Sequence, residues 1–100
     1  PVQVALLPVA SAHEDYAREV QGQLAGAGVR VEFMAADDTL GKRIRNAEKL
    51  KYPYMLVIGD KEVGDKSVTV RSYHDDKQKT VKTDEFIKDI LKEIQERRLP

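Results

Sequence analysis

Five consecutive apolar residues, Tyr54-Met55-Leu56-Val57-Ile58, bounded by Pro53 on one side and Gly59-Asp60 on the other, constrain this chain more than any other stretch. A short apolar run between turn residues reads as a strand, and a strand apolar on both faces must be covered on both. That requirement predicts a sheet with helices on each side and Tyr54–Ile58 near its centre. Val2 to Leu7, closed by Pro8, is a second buried-strand candidate.

The intervening segments supply the helices. Ser11-Ala12-His13-Glu14 has the form of a capping box, with Ser at the N-cap and Glu three residues later. Behind it Tyr16, Ala17, Val20, Leu24 and Ala27 recur at helical spacing, and Gly28 supplies a stop. Val29, Val31 and Phe33 alternate with Arg30 and Glu32, which predicts a half-buried strand. Asp37-Asp38-Thr39 opens a second helix with Leu40, Ile44 and Ala47 on one face, and Lys49 and Lys51 suit its negative end. After the central strand, Val63 to Lys66 reads as a turn. Val68, Val70 and Ser72 alternate with Thr69, Arg71 and Tyr73 as a strand. His74-Asp75-Asp76-Lys77 reads as a polar turn before a short strand near Lys79 to Lys82, and Thr83-Asp84-Glu85 starts a last helix with Ile87, Ile90, Leu91 and Ile94 as its stripe.

The order β-α-β-α-β then β-β-α predicts a single three-layer or two-layer α/β domain over residues 1–100. Its mixed five-stranded sheet has the first three strands parallel, joined by right-handed crossovers, an antiparallel hairpin at one edge, and three flanking helices. One hundred residues suffice for one core. The chain opens on Pro1 rather than Met, directly before a strand, and this predicts a piece of a longer protein.

Several function classes are disfavoured. With no cysteine there are no disulfides, thiolate metal sites or thiol nucleophiles. The apolar run Val4 to Ala10 is too short to span a membrane, and no basic leader precedes it. His13 and His74 lack metal-pair spacing. Ser11, Ser67 and Ser72 read as a cap, a turn residue and a strand-surface residue. Asp37-Asp38 read as helix capping rather than an acid–base pair. The turn Pro8-Val9-Ala10-Ser11-Ala12 is not a glycine-rich phosphate loop, so a dinucleotide or P-loop site is not expected. A binding module is the better reading.

The 17 basic and 17 acidic residues cancel, but not locally. Residues 37–51 hold five basic and three acidic groups, for a net of +2. At about 100° per residue, Lys42, Arg45 and Lys49 fall opposite the apolar arc of Leu40, Ile44 and Ala47. The stripe is either a solvated face or a phosphate-backbone contact surface.

Several segments together resemble a known family. Pro1-Val2-Gln3-Val4, His13-Glu14-Asp15-Tyr16-Ala17 and Ala27-Gly28-Val29-Arg30-Val31-Glu32 are similar to the C-terminal anticodon-binding domain of class II aminoacyl-tRNA synthetases. Leu40-Gly41-Lys42-Arg43-Ile44-Arg45, Val68-Thr69-Val70-Arg71 and the more specific Pro53-Tyr54-Met55-Leu56-Val57-Ile58-Gly59-Asp60-Lys61-Glu62-Val63 narrow the resemblance to threonyl-tRNA synthetases. It covers nearly the whole chain. It implies a non-catalytic domain that holds the anticodon stem-loop of a threonine tRNA for a cytoplasmic, homodimeric ligase. ATP, zinc and magnesium would then serve only the parent's catalytic domain, and the isolated domain would be a monomer. By the same resemblance Glu62 and Arg71 match base-contacting positions, and Asp37 and Thr39 stand where the family has Asn and Lys. Lys42, Arg45, Lys49 and Lys61 would hold the RNA backbone, with Tyr73 and His74 as further stacking surfaces. The departures at Asp37 and Thr39 replace an amide by an acceptor-only carboxylate and remove a cation. They keep open a diverged domain that serves as a protein-interaction or regulatory module. A turn Glu and a strand Arg paired with each other is the plainer alternative for Glu62 and Arg71.

Overall fold

The computed structural model describes residues 3–72 and 75–98. Along them run β1 (Gln3–Pro8), α1 (Glu14–Gly26), β2 (Arg30–Phe33), α2 (Leu40–Lys49), β3 (Tyr54–Ile58), α3 (Asp60–Asp65), β4 (Ser67–Ser72), β5 (Asp75–Lys82) and α4 (Thr83–Arg98). The five strands form one sheet in the order β2-β1-β3-β4-β5. β1 pairs in parallel with β2 and β3, while β3–β4 and β4–β5 are antiparallel. The two apolar runs therefore occupy inner positions.

Alternation along these strands divides the core in two. Val4, Leu6, Leu56, Ile58 and Val68 face α1 and α4, meeting Ala17, Val20, Leu24, Phe86 and Ile90. Ala5, Leu7 and Met55 face the other way and meet Ala47 of α2, flanked by Leu40 and Ile44. The result is the expected three-layer arrangement. Gly28 stops α1 as expected, at φ 85. The Val29 amide then closes onto the Leu24 carbonyl at 3.0 Å.

Four local expectations are corrected. There are four α-helices among the described residues, not three, because Asp60–Asp65 is helical where the sequence predicts a turn. Glu62 supplies the reason: its Oε1 accepts the Gly59 N–H at 2.7 Å, capping the first turn, and the helix ends at Lys66 in the left-handed region. A Cβ at Gly59 would lie 3.3 Å from Glu62 Oε1 and 3.4 Å from Val9 Cγ2, a tight fit that those side chains would have to relieve. Secondly, Ser11 does not cap α1 with Glu14. Ser11–His13 form a 3-10 turn. The Ala10 N–H is taken by His13 Nδ1 at 3.1 Å, and Glu14 Oε2 reaches the Ala36 N–H at 2.9 Å. Thirdly, β5 starts at Asp75 rather than near Lys79, continuing the hairpin past a register shift between Arg71 and Ser72. Ser67 is also the buried first residue of β4 rather than part of a turn.

Candidate nucleic-acid interface

β4 is two-sided, and its two sides have different neighbours. Val68 and Val70 join the core under α4, so Thr69 and Arg71 face the opposite way. Residues opposite one another across a pair share a face, so Thr69 lies with Val57 and Thr80, and Arg71 with Met55 and Gln78. Met55 belongs to the α2 side of the core. Arg71 and α2 therefore lie on one side of the sheet. There α2 packs over β1, while Gln78 and Thr80 are exposed and Arg71 half-buried.

On this bare half-sheet a hydrogen-bond chain is built from the end of β3 outward. Glu62 is 9% exposed and accepts from Gly59 N through Oε1 and from Thr69 Oγ1 through Oε2, the latter at 2.9 Å. The Thr69 hydroxyl lies 3.0 Å from that of Thr80 on the edge strand. Glu62 thus reaches, through Thr69, the face that carries Arg71 two residues further along β4, but no ion pair joins Glu62 and Arg71 among the described residues. Arg71 has no hydrogen-bond or ion-pair partner among the described residues.

The second group of candidate residues is carried by the β2–α2 turn. Thr39 is the N-cap of α2, its Oγ1 accepting from Lys42 N at 3.3 Å. The Asp38 carboxylate accepts from Thr39 N at 2.8 Å and pairs with Lys42 at 3.3 Å. The Thr39 N–H first, then Lys42, hold its pKa below the usual aspartate value. Asp37 is exposed and has no internal partner among the described residues. Lys42, Arg45 and Lys49 line the outer face of α2, and Lys61 is exposed on α3. Lys42 is engaged by Asp38; Arg45 and Lys49 carry no ion pair among the described residues. Tyr73 and His74 lie outside the described residues.

Two further residues organise this surface. Arg43 is 4% exposed, and its guanidinium donates to four backbone carbonyls. Nη1 reaches Pro8 O at 2.6 Å and Met34 O at 3.1 Å, Nη2 reaches Val9 O at 3.2 Å, and Nε reaches Asp38 O at 3.1 Å. Motif spacing does not single out Arg43, but at about 100° per residue it flanks the apolar arc of Leu40, Ile44 and Ala47, which puts a cation at the edge of the buried face of α2. That misplaced charge is the signal the sequence offers. His13 is buried too. Its Nδ1 accepts from Ala10, so Nε2 carries the proton and donates to Asp60 Oδ1 at 2.6 Å, tying the start of α1 to the start of α3.

Among the described residues, the surface therefore carries a guanidinium without a partner, exposed carboxylate and hydroxyl acceptors, and ammonium groups on an adjoining helix. Comparison with known proteins points the same way. The family described as "Anticodon binding domain" matches residues 3–93. The chain is 46% identical over 95 residues to the threonine–tRNA ligase of Anoxybacillus flavithermus, covering 94% of this chain and 15% of that protein. It is 44% identical over 99 residues to that of Geobacillus kaustophilus, covering 98% of this chain. It thus spans 15% of the length of these curated relatives. Among solved structures, the RNA binding domain of threonyl-tRNA synthetase from Cryptosporidium parvum Iowa II matches with a TM-score of 0.83 and 33% identity, over 89% of this chain and 22% of that one. Prolyl-tRNA synthetase from Cryptosporidium parvum shares the fold at a TM-score of 0.81 and 23% identity, over 97% of this chain and 22% of that one.

Proposed function

The chain belongs to the family of anticodon-binding domains, and from that membership we propose that it reads the anticodon loop of a threonine tRNA within a longer threonine–tRNA ligase. The observation that supports this best is Arg71, a guanidinium unpaired among the described residues, on an open, polar half-sheet beside a basic helix. Unstacked loop bases expose edges that such groups can bind, while lysines hold the phosphates. In this reading Arg71 pairs with acceptors on a base, as an Arg fork does with guanine, and Glu62, Asp37 and Thr39 accept from base amino or imino groups. Lys42, Arg45, Lys49 and Lys61 contact the backbone.

The domain binds and does not carry out the ligation. Among the described residues no cluster of His, Asp and Glu could hold a metal ion, and no helix is long and apolar enough to cross a membrane. The ATP, zinc and magnesium chemistry, the homodimer contacts and the cytoplasmic setting are assigned by this proposal to the parent enzyme, and the separate domain is a monomer.

The test is titration of the chain with a synthetic threonine anticodon stem-loop RNA at several salt concentrations, beside a loop with substituted anticodon bases. Arg71→Ala should weaken the matched loop by roughly 1–3 kcal/mol and relax discrimination at the base it reads. Equal binding of both loops by the unaltered chain, or no binding at low salt, would overturn anticodon reading in favour of a protein-interaction role.

A further inference from the structure

Arg43 is a buried cation with no carboxylate in ion-pair range among the described residues. A guanidinium in such a place needs hydrogen bonds for its donors, and here it finds them on the main chain of three separate segments. Pro8 and Val9 belong to the end of β1 and the turn after it, Met34 to the end of β2, and Asp38 to the turn into α2. No side chain is fixed directly. Instead the guanidinium sets where the β2–α2 turn stands relative to the β1–α1 turn. The same turn is held at Ala36 by Glu14 and at Thr39 by Asp38. Among the described residues, the side chain of Asp37 is left unpartnered there.

We propose that Arg43 is a positioning residue for base discrimination: by holding the Pro8, Val9, Met34 and Asp38 carbonyls it presents Asp37 and Thr39 to RNA in one geometry, without touching the RNA itself. The assignment rests on the anticodon-reading role proposed above. An ammonium cannot replace it, because three donors on one nitrogen do not span carbonyls from three segments as a planar fork does.

Arg43→Lys keeps the charge and shortens the reach. In the 100-residue chain it should cut the preference for the matched stem-loop over a base-substituted loop by about tenfold, within what one well-placed base contact contributes to discrimination. The salt dependence of binding should stay unchanged, since every cation facing a phosphate is kept. Amide hydrogen exchange should rise at Ala36 and Thr39 and remain as before in β3. A folded variant with unaltered discrimination, or with a flattened salt slope, overturns the assignment while leaving anticodon reading intact. Absence of binding by the unaltered chain overturns anticodon reading, and this role with it. If the variant does not fold, NMR of the unaltered chain decides. An Arg43 Nε–H that exchanges slowly and keeps its shift under saturating RNA, while the Asp37 and Thr39 amides move, supports the role. Rapid exchange, or an RNA-induced shift of that Nε–H, refutes it.

Discussion

Glu62 shows how one side chain can serve the fold and still be open to a ligand. An ionised carboxylate has about four acceptor sites. Gly59 N and Thr69 Oγ1 use one on each oxygen, which leaves about two acceptor sites on the carboxylate for other donors. Glu62→Gln keeps the shape but sets an amide N–H₂ against one of those donors. The expected loss is about 1–3 kcal/mol, with a fall in melting temperature of roughly 4–8 °C per kcal/mol in a domain of this size. Thermal unfolding checks it, and an unchanged midpoint would show that the carboxylate is not an anchor. The sequence announces Glu62 only through its resemblance motif. Its capping role is hidden there because Gly59 offers no side chain to complete the pair, so the familiar reciprocal pattern is absent.

Helix ends carry the element-scale differences. The start of α2 is legible only to within two residues: the sequence assigns its capping to Asp37-Asp38, whereas the N-cap is Thr39. Thr39→Ala should cost about 1 kcal/mol in denaturant unfolding, and Thr39→Ser much less. The far end is not legible: Lys51 stands at φ 60, in the region that favours glycine. Its amide bonds back to the Glu48 carbonyl at 3.0 Å, so the turn is set by the chain around it rather than by the residue. Lys51→Gly should therefore stabilise by about 0.5–1 kcal/mol, seen as a higher denaturation midpoint. No change would mean that glycine's greater freedom in the unfolded chain cancels the relief. The start of α1 misleads in the opposite direction. Ser11 and Glu14 have capping-box spacing, but His13 competes for the Ala10 amide and Glu14 is drawn to Ala36 across the neighbouring loop. Local spacing cannot register that pull from 22 residues away.

At the scale of the molecule, strand order and layering follow from where apolar runs and alternating runs fall, and these are visible in the sequence. The shared face of Thr69 and Arg71 also follows from parity, once β4 is paired with β3, whereas Glu62 comes to that face only through α3 and its bond to Thr69. What spacing cannot supply is which charges are already engaged, since that depends on groups distant in sequence. Zero net charge predicts weak non-specific attraction to nucleic acid, with the affinity concentrated at the α2 stripe. Replacing Lys42, Arg45 and Lys49 together by Gln should lower the slope of log binding constant against log salt by about 0.7 for each single-strand phosphate no longer neutralised. The preference between loops should survive, because the base-facing groups are elsewhere. An undiminished slope would return the stripe to plain solvent. The two-sided hairpin has a consequence for descent. Val68, Val70 and Val81 answer to the interior, while Arg71 and Gln78 answer to whatever lies outside. Inherited changes at those two positions leave the valines undisturbed, so a lineage can revise what this face presents without first having to acquire a new scaffold.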